Sequence, residues 1–155
     1  MTRVTTSHAR HLTRTLAATL SAALLLSACS DDAATADEML GAQRDAAGPD
    51  SVLVQQAGTA DLSLDVPAAT SAQLTGAGVD GTSGALAVYV SCAEAADTAL
   101  TLDGADIGSV TCTPGGTGDW TSVSTDPVDL SAGHSVELTW SSGGEVAVTV
   151  SLPSA

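Results

Sequence analysis

The sequence predicts an all-β fold: a single antiparallel β-sandwich of Greek-key or jelly-roll type, preceded by a signal peptide and a disordered acidic tether. Three observations carry that reading. From Ser51 onward apolar residues recur with period two, the alternating runs are separated by clusters of Gly, Asp, Ser and Pro, and no run beyond residue 50 has a helical period. Many short strands with close turns in about 100 residues is the pattern of two sheets packed face to face.

The first 28 residues have a different character. Arg3, Arg10 and Arg14 occur without an acid in residues 1–15, and residues 16–26 form a mainly apolar core of Leu and Ala. This is the layout of a signal peptide. A membrane-spanning helix needs about 20 apolar residues, and this core is about half that length before Asp31 and Asp32 interrupt it.

Leu26-Ser27-Ala28-Cys29 closes the apolar core, and these four residues resemble the lipobox of bacterial lipoproteins. The resemblance implies that Cys29 is alkylated with diacylglycerol, that residues 1–28 are removed, and that the mature chain starts at a cysteine carrying fatty acyl chains such as palmitate. Two chains give stable anchoring where one gives marginal attachment. The expected location is therefore the extracytoplasmic face of the cell membrane, with the membrane itself as the first partner. The chain has no Lys, Asn or Phe and a single Ile, Ile107, a bias that resembles high-G+C bacteria and points to a Gram-positive envelope.

Cleavage before Cys29 removes three of the four Arg and none of the 18 acids, so Arg44 is the only basic Lys or Arg left. Such a balance excludes nucleic-acid binding, which needs cations to displace counterions from phosphates. It also repels anionic headgroups, leaving attachment to the acyl chains.

Residues 29–50 read as a lipidated Cys followed by a flexible linker, with six acids and only Met39 and Leu40 as large apolar side chains. A short helix over Asp37 to Arg44 is the alternative, weakened by Gly41. Residues 51–155 form the expected sandwich domain. Leu62, Leu64 and Val66; Leu86, Val88 and Val90; Val136, Leu138 and Trp140; and Val146, Val148, Val150 and Leu152 are the inward sets. Turns are marked by Gly76-Ala77-Gly78, Asp80-Gly81, Asp103-Gly104, Pro114-Gly115-Gly116 and Ser142-Gly143-Gly144. The last is expected to close a C-terminal hairpin.

Cys92 and Cys112 remain once Cys29 is assigned to lipid, and an even pair in an exported chain reads as a disulfide. Both continue inward phases. In a simple meander of residues 85–92, 98–103 and 106–112 they would lie two strands apart, roughly 10 Å, too far for a bond. The first and third segments are therefore expected to be direct neighbours or to sit on facing sheets.

Catalytic chemistry is sparsely supplied. His134 is the one histidine of the mature chain, Gly133-His134-Ser135 lacks the second glycine of a nucleophile elbow, and a solvated loop position is expected for it. One His and one Met, Met39, do not furnish a copper or zinc site, so no cofactor is expected. Asp80, Asp103, Asp106, Asp119, Asp126 and Asp129 fall in or near turns and are candidate Ca²⁺ ligands, with solvated turn acids as the favoured reading. Tyr89 and Trp120 are the candidate surface aromatics for a glycan or protein partner, whereas Trp140 is expected in the core. Residues 51–155 hold 12 acids and neither Lys nor Arg, so crowded carboxylates are expected to have raised pKa values.

The resulting expectation is a lipid-anchored surface protein with a non-enzymatic interaction or envelope-associated role, partnered by an envelope protein. A ligand-binding module for Ca²⁺ or a glycan is the alternative, and a hydrolase comes third.

Overall fold

The computed structural model describes residues 34–112, Pro114 and 120–153. The chain opens with α1 (Ala36–Ala47), β1 (Val52–Gly58), β2 (Leu62–Val66) and α2 (Ser71–Gly76). It continues through β3 (Ser83–Gly84), β4 (Ala87–Cys92), β5 (Ala96–Leu102), β6 (Ala105–Cys112) and β7 (Thr121–Ser124). It finishes with β8 (Val128–Asp129), β9 (His134–Thr139) and β10 (Val146–Ser151).

Two four-stranded antiparallel sheets result, ordered β1-β10-β4-β7 and β2-β9-β5-β6, with β3 and β8 forming a small ribbon. Among the eight longer strands, the first pairs with the last, the second with the seventh, the third with the sixth and the fourth with the fifth. That nested pairing is a jelly roll, a long antiparallel ribbon rolled so that successive strands usually fall on opposite sheets. Among the described strands only β5 and β6 are joined as an in-sheet hairpin, through Asp103 and Gly104 at φ 52° and 78°. Two successive positive φ values define the turn that the strand twist favours, which is why Asp-Gly stands there.

The inward sets read from the alternation form one core. Leu64, Leu86, Leu100, Leu138 and Leu152 are buried between the sheets with the valines of β4 and β10, and Trp140 joins them. Each such Leu or Val removes enough apolar surface to contribute about 1.5–3 kcal/mol.

Three sequence expectations give way. Ser142-Gly143-Gly144 does not close a hairpin, because β9 pairs with β2 and β5 while β10 pairs with β1 and β4. The connection is an arch between sheets, braced by the Trp140 indole N–H donating to the Gly144 carbonyl at 2.8 Å. Two strands of equal length and phase satisfy an arch as well as a hairpin, so alternation alone does not separate them.

The expected tether is, secondly, folded over much of its length. Residues 36–47 are helical and packed, with Met39, Gln43 and Ala47 buried on one face. Thr35 is the N-cap of a capping box with Glu38, Asp37 and Glu38 occupy the first turn, and Arg44 lies in the last, each favourable to the helix dipole. Gly41 faces open space and costs only its propensity. Thirdly, a short helix does occur beyond residue 50: Thr70 and Gln73 form the capping box of α2, which buries Leu74.

Candidate functional site

Cys29 lies outside the described residues, as does Asp119. Within them, Cys92 at the end of β4 and Cys112 at the end of β6 form a disulfide with a Cα separation of 6.1 Å. Their strands belong to opposite sheets, which is the second of the two arrangements the spacing allowed. The bond ties the layers together at the side where β6 and β7 are the outermost strands.

His134 is not a solvated loop residue. Its side chain is 10% exposed, with Nδ1 2.7 Å from Asp103 Oδ2 and Nε2 2.9 Å from the Asp129 carbonyl. The other carboxylate oxygen of Asp103 accepts the Ser135 N–H at 2.8 Å. A carbonyl can only accept, so Nε2 must carry a proton, and a carboxylate facing Nδ1 favours a second. The Asp103 hydrogen bond accordingly raises the His134 pKa above the usual imidazole value, against a smaller opposing effect of burial. The same bond, with that from Ser135, holds Asp103 below the usual carboxylate value. The arrangement clamps the β5–β6 turn to the start of β9 through both ring nitrogens.

The aromatic pair divides. Tyr89 is 8% exposed and counts with the buried residues, whereas Trp120 is 42% exposed. Their rings meet edge to face with centroids 5.0 Å apart. Tyr89 does lie on the outward phase of β4, but α1 and Trp120 cover that face, so only Trp120 is a surface aromatic.

The turn acids are mostly engaged locally. Asp129 Oδ1 accepts from the Ser131 hydroxyl and N–H at 2.6 and 3.0 Å, and Asp106 Oδ1 accepts the Gly108 N–H at 2.8 Å. The Ser131 hydroxyl keeps Asp129 below its ordinary pKa. Asp103, Asp106 and Asp126 nonetheless line one groove of about 430 Å³, together with Leu102, Ile107 and Val128. Among the described residues, no three His, Cys, Asp or Glu side chains converge closely enough to hold a metal ion.

The sequence identified the acids of this groove and missed its floor. Leu102 and Ile107 flank the Asp-Gly turn on separate strands and Val128 lies beyond it on a third segment, so no single periodic run links them. No family model, no curated protein and no solved structure matches the chain.

Proposed function

We propose that the chain is a lipoprotein anchored on the extracytoplasmic face of the cell membrane, and that its jelly-roll domain works by binding rather than by catalysis. The observation that carries the anchoring is Leu26-Ser27-Ala28-Cys29 at the end of a basic and then apolar leader. Support from a separate direction comes from the Cys92–Cys112 bond, since structural disulfides persist in oxidising, extracytoplasmic compartments. The binding role is supported by the state of His134, whose two nitrogens both face acceptors.

The test is metabolic labelling with a fatty acid carrying a detectable tag, followed by fractionation. The wild type takes up label and sediments with membranes, and Cys29→Ala loses both properties. Label retained by the Cys29→Ala protein would refute the anchor.

A further inference from the structure

The groove beside the His134 clamp has an apolar floor and an acidic rim that shares Asp103 with the clamp, and it lies where β6 and β7 end their sheets. We propose that it is a docking site for a basic segment of a partner polypeptide. The aliphatic stem of a Lys or Arg lies on Leu102, Ile107 and Val128, and its charged head sits among Asp103, Asp106 and Asp126. This rests on the binding role proposed above and is independent of the lipid anchor.

The position follows from the topology. β6 and β7 are the outermost strands of the two sheets on the same side. They approach at Gly108, where an added Cβ would stand 3.8 Å from Val123 Cγ1, and the Cys92–Cys112 bond secures one end. The groove opens toward the other end, between the β5–β6 turn and Ser124 to Val128. Its volume is at the small end of the range for ligand sites, suited to one or two side chains.

The floor and rim select the occupant. Leu102 is buried, and Ile107 and Val128 are half-buried and packed against the core, so the floor is firm and apolar. Asp126 makes no side-chain hydrogen bond among the described residues, and Asp106 commits one oxygen to Gly108. Asp103 is already engaged by His134 and Ser135, so Asp106 and Asp126 are the acids left to take the cationic head. Residues 51–155 contain no Lys or Arg to satisfy the rim from within, and Arg44 is held by Gln55 at the α1–β1 junction.

An inorganic cation would leave the floor uncovered, whereas Lys and Arg join an apolar stem to a cationic head. A free diamine shares that chemistry. A peptide adds main-chain donors and acceptors, and the outer edges of β6 and β7 have no ladder partner among the described residues.

Ile107 is the single isoleucine of the chain, so ¹³C-methyl labelling of isoleucine in the full-length protein yields one reporter inside the groove. Titration with a terminally blocked peptide alternating Lys and Val should move that methyl signal saturably. Asp106→Asn with Asp126→Asn should weaken binding by roughly tenfold or more, by removal of charge-assisted contacts. An unshifted methyl signal in the free variant verifies that the groove is intact. Asp65→Asn with Asp80→Asn removes the same charge elsewhere and should leave affinity within about twofold, since screening limits distant charges.

No saturable shift with the Lys-Val peptide would overturn the proposal, as would an equal response to a Glu-Val peptide. Equal weakening by the two double variants would reduce the effect to net charge. A free diamine matching the peptide would remove the polypeptide, and Ca²⁺ alone moving the methyl and displacing the peptide would make the groove a cation site. Fatty-acid labelling at Cys29 is unaffected by any of these results, so failure here is distinguishable from failure of the anchor.

Discussion

His134 and Asp103 form the one ion pair among the described residues, and their pKa shifts have opposite signs of pH dependence. For His134 the folded value lies above the unfolded one, so its contribution is fully present below about pH 6.5 and is lost as pH rises through the folded value. Thermal melts of the wild type and His134→Gln should therefore differ most near pH 6 and converge toward pH 9. A gap that stays constant with pH would mean the imidazole acts only by shape. Neither partner was legible as a pair in the sequence, since they lie 31 residues apart and meet only because β5 and β9 are neighbours. Tyr89 shows a different limit. Alternation assigned it correctly to the outward phase of β4, but an outward phase is exposed only if nothing packs on that face.

What packs there is α1, and its docking surface explains why the composition pointed to disorder. The buried positions Met39, Gln43 and Ala47 recur every four residues, but one is an amide and one a methyl, so the stripe lacks large apolar residues. Gln43 substitutes hydrogen bonds for apolar bulk. Its amide donates to Ser91 Oγ and the Ala147 carbonyl at 2.9 and 3.0 Å and accepts the Thr149 hydroxyl at 2.6 Å. Gln55 extends the network to Leu40 and Thr149. β10 is consequently buried on both faces, although its Ala147, Thr149 and Ser151 read as a solvent-facing set. Gln43→Ala strands these partners in a dry interface and should lower stability by about 2–4 kcal/mol in urea unfolding, given about 1–3 kcal/mol per unsatisfied group. The inter-sheet bond should behave in parallel. Reduction adds two hydrogens to the intact mass and should cost about 2–5 kcal/mol, and native protein with two free thiols would contradict the pairing.

For the whole molecule, the strand set and core were legible because each face of each strand repeats with period two. The rolled topology was not, because nested pairing leaves no local mark. Glu38, Asp103 and Asp129 have pKa values below the ordinary ones, the first through the Thr35 capping interaction and the others through the contacts already described. Local hydrogen bonds outweigh crowding at these sites. Their stabilisation is present above the unfolded carboxylate range and fades as pH falls through the lowered values. With His134 acting at the other end, the melting temperature should peak between about pH 4 and 6.5. At pH 8, where 12 acids in residues 51–155 face no Lys or Arg, added NaCl should raise it by screening. At fixed ionic strength Ca²⁺ and Mg²⁺ should act alike, and a saturable rise with Ca²⁺ alone would restore a specific site.

The helical segment also fixes a reach. An extended chain from Cys29 to Asp50 has a contour of about 75 Å, long enough to let the domain roam well above a bilayer. With Ala36–Ala47 bound against β1, β4 and β10, the spacer from Cys29 to Ala36 can span at most about 25 Å. On the proposed acyl anchor, the jelly roll is confined to a thin shell over the headgroups. It then searches for partners by lateral diffusion in two dimensions, and whatever it binds must come to the membrane surface.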